Sequence, residues 1–148
     1  MTDEMIRMLQ LAQQGFQCSQ ILLLMGLEAQ GKDNVDLVRA MSALAGGLGF
    51  SGDICGTLTG GACLLGLYAG RGRADEEEDP RLKIMIGELV EWFTMEHGGK
   101  YGGIRCETIL GDDPRSRTTR CPSMILGTYQ KVKDLLVQNG FDLSTGRP

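Results

Sequence analysis

Apolar residues recur at intervals of three and four along almost the whole chain, and no segment alternates with period two for long enough to predict a sheet. Four such stripes, within residues 5–12, 37–48, 82–93 and 125–136, each predict a helix with one buried face. The run from Ile21 to Met25 is apolar on every side, which is typical of a helix that others surround. The pattern therefore predicts an all-α fold.

Capping signals divide this pattern into helices. Asp79-Pro80 and Cys121-Pro122 each predict a cap followed by proline at the first helical position, and Gly98-Gly99 predicts a helix stop. No repeat or linker interrupts residues 1–148, so we expect a single-domain bundle with a glycine-rich central helix. Its six or seven helices are expected near residues 2–14, 18–29, 34–46, 54–69, 80–97, 105–110 and 122–139.

Charge and hydropathy exclude several classes of partner. The net charge of -4 argues against nucleic acid, which proteins bind chiefly by neutralising phosphates with Lys and Arg. The longest uncharged stretch, Ile54–Gly70, is shorter than the roughly 20 apolar residues that span a bilayer, so we do not expect an integral membrane protein. The charged N-terminus does not read as a secretory signal, which predicts a cytoplasmic protein whose thiols stay reduced.

Glycine is concentrated between residues 46 and 72, which contain ten glycines. The spacings Gly56-x-x-x-Gly60 and Gly66-x-x-x-Gly70 favour close packing of a neighbouring helix over a ligand platform. Residues 47–52 match the dinucleotide-binding pattern GxGxxG, but that pattern requires a preceding strand, and here a predicted helix precedes it. We therefore expect no dinucleotide site.

The five cysteines contain no CxxC pair, which excludes thioredoxin-like motifs, zinc ribbons and c-type haem attachment. Cys18, Cys55, Cys106 and Cys121 lie in or beside the predicted first turn of a helix. Free amides and the helix dipole favour a thiolate there, so we expect lowered pKa values at these four positions. Cys63 lies two turns into a helix and is expected to be a small buried core residue.

The cysteine pattern resembles the redox-active protein family named C_GCAxxG_C_C. The resemblance rests on Cys18, the run Gly46–Gly49, the element Cys55–Gly60, and the later Cys106 and Cys121.

Within that element, Thr57 stands where the family has alanine, and Cys63 lies outside the pattern. The resemblance extends to a domain of split-Soret cytochromes, whose cysteines of this kind are assigned to an iron–sulfur cluster. The resemblance also implies that the gene of this protein lies near transporter genes.

The first functional hypothesis is a cofactor protein. Cys18, Cys55, Cys106 and Cys121 would bind a [2Fe–2S] or similar iron–sulfur cluster for electron transfer with an unidentified redox partner. We prefer iron–sulfur to zinc because structural zinc sites usually use closely spaced ligand pairs.

Two alternatives remain open. In a metal-free thiol–disulfide protein, Cys55 would be the redox thiol, and Arg120 is adjacent to Cys121, although a solvated role for this arginine is favoured. In a non-catalytic protein, the helices would bind a partner, serve a transporter as an accessory, or form a homodimer through the glycine face. His97, in a helix's last turn, is expected to cap as a cation, and Trp92 and Phe93 are expected in the core.

Overall fold

The computed structural model describes residues 1–147 and confirms the all-α fold. A 3-10 turn, Ser42–Leu44, follows helix α3 (Val35–Met41). A π-helical turn, Thr94–Gly98, joins helix α5 (Arg81–Phe93) to helix α6 (Gly99–Tyr101) without a break. Because α5, the π-helical turn and α6 form one continuous helix, the described residues contain seven helical segments, in agreement with the six or seven expected. The helices are α1 (Asp3–Gln13), α2 (Cys18–Ala29), α3 (Val35–Met41), α4 (Gly56–Ala69), α5 (Arg81–Phe93), α6 (Gly99–Tyr101), α7 (Cys106–Leu110) and α8 (Ser116–Gln138). No helix within residues 1–147 is both long and apolar enough to cross a membrane.

The glycines of α4 allow its neighbours to approach closely. A Cβ built on Gly60 would lie 2.9 Å from the Ser19 Cα on α2, and one on Gly61 would lie 2.9 Å from the Thr128 Cγ2 on α8. Gly60 and Gly61 therefore serve helix packing, as the spacing Gly56-x-x-x-Gly60 predicts for Gly60. The second predicted spacing, Gly66-x-x-x-Gly70, does not contribute to helix packing, because Gly66 faces open space and Gly70 lies beyond the end of α4.

The segment between α3 and α4 is a left-handed turn. All five residues from Gly46 to Phe50 have positive φ, between 60° and 74°, including the two non-glycine residues Leu48 and Phe50. The Gly49 N–H donates to the Ala43 carbonyl at 2.9 Å, and the Phe50 N–H donates to the Ala45 carbonyl at 3.1 Å. Helix α3 therefore ends earlier than the apolar stripe predicts, because this glycine-rich turn takes over the backbone hydrogen bonds.

The start of α8 corrects a predicted boundary. The helix begins at Ser116 rather than near residue 122, and Pro122 lies inside it. The Asp113 carboxylate accepts from the Arg115 N–H at 2.9 Å, which starts the helix before the proline is reached. Cys121 is therefore a helical residue of the second turn and not the cap that the sequence predicts.

His97 corrects another expectation. The helix does not stop at Gly98-Gly99, so His97 lies in the π-helical turn, with its ring centroid 4.8 Å from that of Phe93. Its Nε2 is buried without a hydrogen-bond partner in the described part of the chain, and burial lowers its pKa. The predicted cationic cap is wrong because desolvation outweighs any helix-end field. Phe93 is fully buried and Trp92 is half-buried.

Candidate four-cysteine site

An isolated antiparallel bridge between Ile54 and Arg105 joins the segments that carry two of the cysteines. The Cys55 and Cys106 N–H groups each donate to a carbonyl of the opposite segment, at 2.9 Å and 2.6 Å. The two thiols lie close enough for charge on Cys55 to disfavour ionisation of Cys106. A short backbone pairing thus places Cys55, which caps α4, beside Cys106, which begins α7.

Cys18 reaches the same place from the first turn of α2. A Cβ built on Gly56 would lie 2.8 Å from the Cys18 Sγ, so only glycine leaves room for this sulfur at the start of α4. The N–H groups of Gly46 and Ser19 donate to the sulfur, and so does the hydroxyl of Thr57. The sequence marks Thr57 as a departure from the motif that the chain resembles, but it predicts no role for this residue in the site.

Cys121 joins the site from the second turn of α8, together with an arginine on the same helix. Arg117 precedes Cys121 by four residues, the spacing that puts two side chains on one helix face. Its guanidinium donates to the Cys106 sulfur and its charge favours the Cys121 thiolate. Arg120, the arginine that the sequence suggested, instead donates to the Ile109 carbonyl.

Cys55 and Cys121 are each within electrostatic reach of the other three thiols of the site. Charge on Cys18, Cys55 and Cys106 disfavours ionisation of Cys121, and charge on Cys55 does the same to Cys18 and Cys106. The structure thus brings together the side chains that the sequence proposes as one site. Within residues 1–147, no three Cys, His, Asp or Glu side chains are arranged to hold a single metal ion.

The pKa values of three thiols differ from the expectation of lowered values. Burial raises the pKa of Cys18 and Cys106, and it raises the pKa of Cys121 to about 12. The predicted lowering is wrong for these residues because loss of hydration outweighs the hydrogen bonds and the charge of Arg117. These three thiols are therefore protonated at neutral pH in the metal-free protein.

Cys63 is exposed, so the prediction that it is a buried core residue is wrong. It lies on the outward face of α4, between the half-buried Ala62 and the buried Leu64. A helix that is apolar all round does not show from its sequence which face is turned outward. No charge coupling links Cys63 to the other four thiols.

Two of the four cysteines, Cys18 and Cys121, line an open cleft of about 510 Å³. Cys55 is 7% exposed and is not among the residues that line this cleft. Cys18 and Cys121 are therefore the thiols of the site that a small molecule in this cleft can contact.

Comparison with known proteins identifies the family. No curated protein and no solved structure matches this sequence. The family model described as Putative redox-active protein (C_GCAxxG_C_C) matches residues 16–135, which include all four cysteines of the site. Since the match covers well over half of the sequence, the chain belongs to the C_GCAxxG_C_C family of redox-active proteins.

Proposed function

We propose that Cys18, Cys55, Cys106 and Cys121 hold one iron–sulfur cluster of the [2Fe–2S] class and that the protein transfers single electrons. The observation that carries this proposal is the gathering of four thiols from four separate elements beside the guanidinium of Arg117, with the charge of each of the other three acting on Cys121. Four cysteine thiolates are the usual ligand set of such clusters.

The donor set fits a cluster better than it fits a single ion. A cluster with two irons is wider than one ion, so its four ligands need not converge on one point. This agrees with the arrangement of the thiols in the described residues, no three of which are placed around a common ion position. When bound, the cluster supplies reversible one-electron oxidation and reduction.

The chain itself supplies stabilisation of negative charge. The N–H groups of Gly46 and Ser19 and the Thr57 hydroxyl donate to the Cys18 sulfur, and Arg117 donates to the Cys106 sulfur. Hydrogen bonds to ligand sulfurs and nearby positive charge are the protein's usual means of setting a cluster's reduction potential.

The fold positions these ligands without requiring metal. Helices α2 and α4 pack through Gly60 and through buried residues such as Leu22 and Leu64. Cys55 belongs to the same core, but most of the core consists of apolar side chains that bind no metal. We therefore expect a folded metal-free protein, in contrast to a zinc finger, whose folding depends on its ion.

Anaerobic reconstitution with iron and sulfide tests the proposal. We expect about two irons and about two sulfides per chain, with visible charge-transfer absorption. Serine substitution at Cys18, Cys55, Cys106 or Cys121 should abolish or strongly reduce cluster binding, whereas Cys63→Ser should leave it unchanged. A folded protein that takes up no iron, or that loses as much iron with Cys63→Ser, would refute the proposal.

A thiol–disulfide function is the second candidate, because Cys18 and Cys121 line the same cleft and Cys18 is the thiol whose charge acts most strongly on Cys121. This pair is more accessible than Cys55, the redox thiol expected from the sequence. Oxidised glutathione would take two electrons from the pair and be reduced to two glutathione thiols, while the Cys18–Cys121 disulfide forms and two protons move to the leaving thiolates. Reversible loss of two thiols, abolished by Cys18→Ser and by Cys121→Ser, would support this candidate.

A further inference from the structure

The cleft beside Cys18 and Cys121 has the dimensions of a small-molecule site. It opens between α1, α2 and α8, and its volume of about 510 Å³ lies within the range of such sites. Most of its wall is apolar and is formed by Leu9, Phe16, Ile21, Phe50, Pro122 and Ile125.

Arg117 is the only charged side chain among the described residues that line this cleft. None of the ion pairs found within residues 1–147 involves it. Its guanidinium lies 5.1 Å from the ring centroid of Phe50, which holds the charge at the cleft wall. A cation without a carboxylate partner, in a cleft with apolar walls and no acidic residue, favours an anionic ligand.

Phe50 is an aromatic residue of the cleft wall and lies beside Arg117. Its φ is 62°, in the left-handed region where non-glycine residues are uncommon, and its side chain is 53% exposed. Leu48 has a similar φ of 65° and similar exposure but does not line the cleft, so the two residues form a matched pair.

We propose that this cleft binds a small amphipathic carboxylate. The carboxylate would pair with Arg117, and the apolar body would lie against Phe16, Phe50 and Ile125. A ligand bound in this way contacts the side of the four-cysteine site that carries Cys18 and Cys121. The proposal does not depend on a cluster, and its test uses the metal-free, reduced chain.

The test compares two probes of the same shape, 1-naphthoate and the neutral 1-naphthalenemethanol, by isothermal titration calorimetry. We expect saturable binding of one naphthoate per chain and at least about tenfold weaker binding of the alcohol, the effect of one charge-assisted pair. Arg117→Gln should remove this preference. Arg115→Gln should retain it, because Arg115 is on the same helix end but is paired with Asp113 and does not line the cleft.

The glycine variants of the matched pair give an independent measurement. Phe50→Gly and Leu48→Gly both relieve a left-handed backbone, but only Phe50→Gly should weaken naphthoate binding, by about fivefold or more. The proposal is overturned by equal affinity for the two probes, by a preference that survives Arg117→Gln, by equal effects of the two glycine variants, or by absence of saturable naphthoate binding.

Discussion

Gly47 lies directly against the backbone of Asp53, so closely that a Cβ on Gly47 would overlap the Asp53 amide and carbonyl. The Asp53 N–H donates to the Gly47 carbonyl at 3.1 Å, and the Asp53 carbonyl accepts from the Cys106 N–H at 2.6 Å. The left-handed turn is therefore connected through Asp53 to the bridge that places Cys55 and Cys106 side by side. The glycine run acts on the cysteine site through this contact.

Gly47→Ala should consequently be far more damaging than Gly49→Ala. Both glycines have positive φ, 74° and 60°, but the space around Gly49 is open. Gly49→Ala adds only the left-handed strain, about 1 kcal/mol, whereas Gly47→Ala adds a backbone clash and should cost about 3 kcal/mol or more. Urea unfolding of the two variants measures this difference in the free energy of unfolding. Equal losses of unfolding free energy would show that the Gly47–Asp53 contact does not stabilise the fold.

Gly56 provides a second matched comparison, within α4. A Cβ there would lie 2.8 Å from the Cys18 Sγ and 2.9 Å from the Leu44 carbonyl oxygen, so Gly56→Ala should lower the free energy of unfolding by about 1–3 kcal/mol. Gly66 is in the same helix but faces open space, and Gly66→Ala should stabilise the protein by up to about 1 kcal/mol through helix propensity. Denaturant unfolding should therefore show that the two substitutions change the free energy of unfolding in opposite directions. Changes in the same direction would contradict the packing described for α4.

The helices were predictable because a buried helix face imposes its own period on the sequence. The end of α8 was predictable too, but its start was not. The Arg115 N–H donates to the Asp113 carboxylate and starts the helix before Pro122, which outweighs the preference of Pro122 for a first helical turn. The sequence pattern also carries no information on which side of an all-apolar helix faces solvent, which is why Cys63 was misplaced.

Three of the four cysteines of the candidate site begin or cap a helix, as the sequence predicts, whereas Cys121 lies in the second turn of α8. The direction of the pKa shifts could not be predicted from the sequence. Desolvation depends on the packing of every neighbouring element, and it reverses the direction expected at Cys18, Cys106 and Cys121. The role of Arg117 was hidden for a related reason, since its spacing from Cys121 is meaningful only once α8 is known to begin at Ser116.

The Asp79–Arg81 pair predicts a loss of stability at acid pH. Arg81 side-chain and backbone donors hold the pKa of Asp79 at about 2, below its ordinary 3.8. A carboxyl whose pKa is lowered by folding stabilises the protein above its unfolded pKa, and this contribution is lost as pH falls through its folded pKa. Asp79→Asn should therefore cost about 1 kcal/mol at pH 7, after allowance for solvent screening, and nothing below pH 2.

Urea unfolding as a function of pH measures this effect, with Asp36→Asn as the control. Asp36 pairs with Arg39, but both side chains are largely exposed, so its loss should cost less than about 0.5 kcal/mol at any pH. A penalty for Asp79→Asn that stays constant down to pH 2 would contradict the assignment of the stabilisation to this ionised carboxylate.

Cys63 should be the first cysteine to react with a small alkylating reagent, because it is exposed while Cys55 is buried. Its substitution should have little effect on stability: Cys63→Ser is expected to change the free energy of unfolding by less than about 0.5 kcal/mol, as for other surface sites. Mass spectrometry after brief treatment with iodoacetamide identifies the modified peptide. Preferential labelling of any other cysteine would contradict the exposed position of Cys63. So would a loss of unfolding free energy with Cys63→Ser as large as that of a core substitution.

The Thr57 hydroxyl should control the reactivity of Cys18. It is 1% exposed and donates to the Cys18 sulfur, which favours the thiolate against the effect of burial. Thr57→Val keeps the shape of the side chain but removes the donor, so the pKa of Cys18 should rise further. At a fixed pH below that pKa, alkylation of Cys18 should slow by about fivefold or more, since a hydrogen bond to a charged group is worth about 1.5–3 kcal/mol.

Thr59→Val is the matched control for this measurement, because the Thr59 hydroxyl donates only to the Cys55 and Gly56 carbonyls within α4. The rate at Cys18 should be unchanged in this variant, and quantitative mass spectrometry of the Cys18 peptide compares the two. Equal rates in wild type and Thr57→Val would mean that the hydroxyl does not act on the sulfur. A fivefold difference would instead show that the Thr57 hydroxyl supplies a donor to the four-cysteine site.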